Sequence, residues 1–93
     1  MNVPYGNEAF ADYSAILGGR WNETGDTLSD DHTIGEGSTV SGGRDNKAMG
    51  DESTVSGGDF NTASGSRSSI SGGLNWGVLD DWDWRAGDLF QDN

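Results

Sequence analysis

A six-residue phrase recurs in this chain at a fixed interval. Ser-Thr-Val-Ser-Gly-Gly stands at residues 38–43 and again at 53–58, and Ser-Ser-Ile-Ser-Gly-Gly at 68–73. The first glycines of the three, Gly42, Gly57 and Gly72, are 15 residues apart each time. A degenerate copy, Ser14-Ala15-Ile16-Leu17-Gly18-Gly19, begins 24 residues before the first full one, which is one period plus nine. A fixed period constrains a fold more than any single residue does, because similar units stack on their neighbours instead of collapsing round one centre. Fifteen residues are too few for a helix pair or a propeller blade, and the unit carries no helical pattern. It fits one coil of a parallel β-solenoid or β-roll, an all-β architecture of about four short coils.

Alignment on the glycines gives each position a role. Ile16, Val40, Val55 and Ile70 share a slot, two residues before the first glycine, and all are β-branched, as suits a short strand with one buried face. The flanking Thr39 and Ser41, like Thr54 and Ser56, alternate with that slot and are expected to point outward. Ala48, Ala63 and Val78 form a second apolar slot, again at 15-residue spacing. Asn22, Asn46 and Asn61 hold the fourth place after the first glycine, and in a stacked coil they form an asparagine ladder. The last copy has its Asn one position early, at Asn75, and Trp76 takes the ladder position, so the repeat is expected to end there.

The apolar inventory is small: Leu, Ile, Val and Phe make up 15 of 93 residues, against a formal net charge of −11. Such a balance is a signature of disorder. The periodic placement of the apolar residues and an aromatic content of 10% argue against it. A chain this size with a thin core needs disulfides, a metal or oligomerisation. It has no Cys, and oligomerisation is the most economical answer. The acidity disfavours nucleic acid, since Arg20, Arg44, Lys47, Arg67 and Arg85 are scattered rather than clustered. No apolar run approaches the ~20 residues that span a membrane.

The pattern Gly-Gly-x-x-Asn-x-Ala-x-Gly-x-x-Ser-x-Val-x runs from Gly42 to Ser56 and, with Ile70 in the Val slot, from Gly57 to Ser71. It resembles the head repeat of trimeric autotransporter adhesins, the YadA-like head, a repeat also found in phage and other virus fibre-like proteins. The resemblance covers residues 13–78, with nine extra residues placed at 27–35; in the first copy Thr24 replaces the Ala. It implies a left-handed parallel β-roll and a homotrimer whose interior is packed by Ile16, Val40, Val55, Ile70, Ala48, Ala63 and Val78. No heptad stalk, signal segment or anchor follows the family pattern in these residues, so the expectation is a stand-alone trimer that attaches through its ends.

Residues 1–12 read as an N-terminal arm with Tyr5 and Phe10 as docking aromatics, and residues 79–93 as an aromatic cap or docking segment with Trp82, Trp84 and Phe90, adjoined by Trp76. Both indoles of Trp82-Asp83-Trp84 share one face of a strand, with Asp83 on the other. The acidic groups Asp26, Asp30, Asp31 and Glu36 around His32, and Asp80, Asp81 and Asp83 near the end, lack the spacing of known calcium loops and read as solvated. No metal or other cofactor is expected. Catalysis requires a unique nucleophile with a base and an orienting group, whereas these serines are equivalent from coil to coil.

The expected role is therefore a non-enzymatic structural protein of a virus particle, a trimeric capsid decoration (cement) protein or a fibre or tail component of a phage. Its partners are then its own copies and a major capsid or other virion protein, with no nucleic acid and no membrane, and its location is the virion. The alternative is a carbohydrate- or surface-binding adhesin head at the cell surface, using the indoles as platforms.

Overall fold

The structure, a computed structural model, describes residues 6–86 and the backbone of residues 89–91. Strands are short because a corner follows every few residues. They are β1 (Glu8–Ala9), β2 (Ala15–Ile16), β3 (Glu23–Thr24), β4 (Thr39–Val40), β5 (Lys47–Ala48), β6 (Thr54–Val55), β7 (Thr62–Ala63), β8 (Ser69–Gly72), β9 (Gly77–Val78), β10 (Trp84–Ala86) and β11 (Leu89–Gln91). Odd-numbered strands stack as β1-β3-β5-β7-β9 and even-numbered ones as β2-β4-β6-β8-β10, with β11 added beyond β10. All pairs are parallel except β10–β11, a terminal antiparallel hairpin. A third, narrower ladder joins Arg20 to Arg44, Arg44 to Asp59 and Asp59 to Leu74. Each coil thus has three faces, and there are five coils rather than about four.

The 15-residue period is the pairing register. Lys47 lies over Thr62 and Thr54 over Ser69, while Ala15 lies over Thr39 because the second coil carries the extra nine residues. Those residues leave after Gly25 and return at Gly35, so the insertion is 26–34, one residue earlier than the alignment suggested. The glycines meet at its neck: a Cβ on Gly35 would sit 2.8 Å from the Gly25 Cα.

The coil count grows at both ends. Asn7 and Glu8–Ala9 form the start of a first coil, with Glu8 paired to Glu23, so residues 7–12 are roll rather than arm. At the other end Trp84 pairs with Ser69 and Arg85 with Ile70, so the roll runs past residue 78 to Ala86. At the C-terminal end the side chains in the repeated slots explain why the extension escaped the alignment. Asp83 stands in the serine slot and is 3% exposed, and Arg85 stands in the Val/Ile slot with its guanidinium 3.7 Å from the Trp76 ring centroid.

The apolar columns lie inside one chain. Val40, Val55, Ile70, Ala48 and Ala63 have no exposed surface and Val78 almost none, with Ile16 packed half-buried against them. A side chain already removed from water has no area left for a second subunit to bury. These residues are therefore the core of the single coil stack, and a trimer seam requires a different face.

The asparagine column is a polar spine at one corner. Asn46 Nδ2 donates to the carbonyls of Gly42 (2.9 Å) and Gly58 (3.0 Å), and its Oδ1 accepts the Asn61 backbone N–H at 3.0 Å. Asn22 and Asn61 repeat the arrangement. The rungs run through backbone groups of the next coil rather than from amide to amide. Asn7 adds a first rung, accepting from the Asn22 N–H at 3.0 Å, and Asn61 Oδ1 ends the column on the Trp76 N–H at 2.9 Å. Gly43 shows why the second glycine of each pair is fixed: its φ is +87°, and a Cβ there would overlap the Gly58 carbonyl oxygen. Nothing lies within 4 Å of a Cβ on Gly42.

Candidate binding surface

Each coil carries left-handed residues at two corners, and most of them are not glycine. At the asparagine corner Trp21, Asp45, Phe60 and Asn75 have φ of 55–59°. At the opposite corner the column is Tyr13 (59°), Gly37 (72°), Glu52 (56°), Arg67 (58°) and Trp82 (72°). A non-glycine residue there costs roughly 1–2 kcal/mol. Hydrogen bonds between coils offset that cost. Glu52 donates its N–H to the Glu36 carbonyl (2.8 Å), Arg67 to Asp51 (2.8 Å) and Trp82 to Ser66 (3.0 Å), and Phe60 and Asn75 do the same at their corner. Large side chains consequently end in solvent: Tyr13 is 87% exposed, Trp82 55% and Phe60 51%.

Charge is arranged around these rings. Each of the four arginines lies over an aromatic side chain: Arg20 over Trp21 at 4.8 Å, Arg44 over Phe60 at 5.8 Å, Arg67 over Trp82 at 5.0 Å and Arg85 over Trp76. Arg44 also forms a two-pronged pair with Asp59, at 3.2 Å from Nε and 2.6 Å from Nη2. That hydrogen bonding holds the Asp59 carboxyl below its ordinary range and raises Arg44. Arg67 Nη2 meets Glu52 Oε1 at 2.8 Å. These cation–aromatic stacks escaped the sequence reading, although Arg44 with Asp59 one period later was a usable signal.

The insertion folds against the first coil. Phe10 and His32 stack with centroids 4.0 Å apart, His32 Nδ1 lies 2.7 Å from the Phe10 carbonyl oxygen, and the Asp12 N–H donates to the His32 carbonyl. Phe10 is thus a half-buried clasp for the insertion. Within the loop, Asp26 accepts the Leu28 N–H, and Asp31 accepts both the N–H and hydroxyl of Thr33, which lowers the Asp31 pKa. These carboxylates cap turns. Among the described residues no three His, Asp or Glu groups gather in a metal-holding cluster.

At the far end the aromatic residues divide. Trp82 projects from its corner beneath Arg67, Trp84 is half-buried and donates Nε1–H to Ser71 Oγ at 3.0 Å, and Trp76 is half-buried under Arg85. Asp83 is buried, but Trp82 turns a left-handed corner before β10 begins at Trp84, so the expected strand with both indoles on one face does not form. Tyr5 and the side chain of Phe90 lie outside the described residues.

Comparison with family models places one coil among known sequences. Residues 53–65 match the ubiquitous surface protein adhesin repeat. The repeat is similar to a trimeric-adhesin head repeat. The matched residues are one turn of the stack, from the buried Ser53 through β6 and the Gly57–Gly58 corner to Asn61, β7 and Gly65. They contain Val55, Asn61 and Ala63, the inward members of all three columns. Comparison with curated proteins and with solved structures gives no significant match. The match is thus to a repeat of surface adhesins, over one coil, and it lends nothing specific to a phage or capsid protein.

Proposed function

We propose that this chain is a non-enzymatic adhesin-type head module, displayed on a surface, that assembles as a homotrimer and binds through side chains at its outer corners. The observation that carries the reading is that the unit matched to a surface adhesin repeat is the structural coil itself, stacked five times. A solenoid of this kind is a rigid scaffold whose interior is fixed by the repeat and whose corners are free to vary. The matched repeat supports this role ahead of capsid decoration or a tail fibre. The equivalence of the serines from coil to coil argues for a scaffold rather than an enzyme.

The face best suited to the trimer seam is the outer side of β2-β4-β6-β8-β10. Its outward residues, Ala15, Leu17, Thr39, Ser41, Thr54, Ser56, Ser69, Ser71 and, on β10, Trp84, are uncharged on a chain of net charge −11. The β1-β3-β5 face instead presents Glu8, Glu23 and Lys47, which would lose hydration on burial. Sedimentation tests the assembly: the wild type is expected to be a trimer and Ser56→Arg a folded monomer. A monomeric wild type would remove the trimer. Saturable binding of labelled protein to intact cells tests the role; binding to stripped virus particles with none to cells would replace it with the virion reading.

A further inference from the structure

The variable corner contains one empty layer. Its column runs Tyr13, Gly37, Glu52, Arg67, Trp82, one residue per coil, and only Gly37 lacks a side chain. Backbone conformation does not demand that glycine, because the other four members hold the same left-handed φ with large side chains. Close approach does not demand it either: a Cβ on Gly37 would meet nothing nearer than Glu52 Cγ at 3.5 Å, an ordinary contact. The consequence of the glycine is a cavity of about 500 Å³ between Tyr13 and Glu52, bordered by Glu36, Asp51 and Arg67.

The same column shows what fills such a layer. Above Glu52, the guanidinium of Arg67 lies between a carboxylate and an aromatic ring, paired to Glu52 at 2.8 Å and stacked on Trp82 at 5.0 Å. Below Glu52 the outer members of that sandwich recur in mirror order, with Glu52 on one side, Tyr13 on the other and no cation between. Both intervals are two coil layers, about 10 Å at the usual strand spacing. Glu36 and Asp51 also line the cavity, Asp51 with one oxygen accepting the Gly35 N–H at 2.9 Å, so acidic residues outnumber the single arginine at its border. An aromatic face and carboxylates together favour a planar cation, which stacks on the ring and donates two parallel hydrogen bonds to a carboxylate.

We propose that the Gly37 notch binds an arginine side chain presented by a basic partner protein, completing on the Tyr13 side of Glu52 the sandwich that Arg67 completes on the Trp82 side. The proposal rests on the surface-binding reading and names the chemistry of its partner. The geometry makes Tyr13 the stacking platform, with Glu52 and Glu36 the acceptors.

The test is titration of the full chain with N-acetyl-arginine amide, followed by NMR at the Gly37 and Tyr13 amides. N-acetyl-citrulline amide, the same shape without the charge, and methyl glucoside serve as controls. Saturating shifts centred on Gly37 are expected with arginine, at least tenfold weaker with citrulline. Gly37→Arg should reduce arginine affinity more than tenfold by filling the notch from within. Tyr13→Asn, which keeps a residue tolerant of left-handed φ, should reduce it several-fold. Equal affinity for citrulline, shifts centred elsewhere, or binding of the glucoside alone would overturn the proposal. If labelled protein binds cells undiminished by excess arginine peptide or by Gly37→Arg, the notch assignment fails and the adhesin role stands. If arginine binds the notch but the protein binds no cell, the adhesin role fails and the notch stands.

Discussion

At one corner of the coil a buried slot repeats the same asparagine each time, beside a left-handed slot that varies, and at the other corner the left-handed slot alone faces out and differs in every coil. The asparagine corner places Asn22, Asn46 and Asn61 in one buried, three-bonded arrangement, with Asn7 adding a rung below. The opposite corner places Tyr, Gly, Glu, Arg and Trp in one backbone conformation, all facing water. Both corners solve the same steric problem of turning a chain every few residues. The first solves it with side chains that are part of the wall, so the residue cannot change. The second holds its left-handed residue by backbone hydrogen bonds between coils, with the neighbouring Asp51 and Asp81 accepting the Gly35 and Ser66 N–H, which leaves the left-handed residue's own side chain to serve another purpose. A periodic protein therefore separates what folds it from what it presents.

The largest effect that sharpens this contrast is expected at Asn46. Asn46→Ala removes two donors from the Gly42 and Gly58 carbonyls and the acceptor of a buried N–H on Asn61. Each buried group left without a partner costs about 1–3 kcal/mol, so a loss of about 3 kcal/mol is expected in denaturant unfolding. Glu52→Ala at the other corner breaks one exposed pair with Arg67 and should cost about 0.5 kcal/mol. Equal losses at the two sites would dissolve the distinction.

Next in size is a test within a single glycine pair. Gly43→Ala forces a Cβ onto the Gly58 carbonyl at φ +87° and should destabilise by about 1–3 kcal/mol. Gly42→Ala meets nothing within 4 Å at a conformation other residues accept, and should be neutral or slightly stabilising. The thermal midpoints of the two variants should therefore separate clearly. If Gly42→Ala proves the worse of the two, the reading of the glycine-glycine corner is inverted.

How much of this was legible in the sequence follows the same division. The Val40, Val55 and Ile70 column and the Asn22, Asn46 and Asn61 column stand out because burial restricts each slot to one kind of side chain. Asn7 lies one period before Asn22 and was equally available, but it precedes the copy with Thr24 in the alanine slot, where the pattern is faintest. The fifth coil was hidden for a different reason. A terminal coil has a neighbour on one inner side only, so Asp83 and Arg85 stand where the interior coils need Ser and Ile. Whether Val55 packs inside one chain or at a seam between three was beyond pattern reading, because both environments select the same β-branched residue. The variable corner carried no periodic signal at all. Five different residues share a slot there, and the conformation they share is one in which only glycine is conspicuous.

A smaller effect is expected when the empty layer is filled without charge. Gly37→Asn adds a side chain where the nearest Cβ neighbour is 3.5 Å away, and Asn enters left-handed φ more readily than most residues. Stability should change by less than about 1 kcal/mol. A loss comparable to that of Gly43→Ala would show that Gly37 is held by packing after all, and the two corners would then obey one rule.

The smallest effect concerns the ion pair beside the asparagine corner. Arg44 hydrogen-bonds Asp59 and so holds the Asp59 pKa below its ordinary 3.8, with Coulombic help from Arg44 and Arg20. A carboxyl whose folded value is depressed contributes stability that is fully present above the unfolded value. That contribution is lost as pH falls through the folded value. Arg44 is exposed and Asp59 is half-buried at the surface, so the contribution is small and salt-sensitive. The difference in melting temperature between wild type and Asp59→Asn should be constant from pH 7 down to about 5, then shrink once the pH passes below the ordinary carboxyl value. It should shrink at neutral pH as well when salt is raised. Net charge works in the opposite sense, since acid relieves the repulsion among 16 carboxylates in wild type and variant alike, and taking the difference between the two cancels most of that shared change. A difference that persists unchanged at pH 2 would mean that Asp59 acts by shape rather than charge. The third ladder would then be held by its backbone bridges, as the variable corner is.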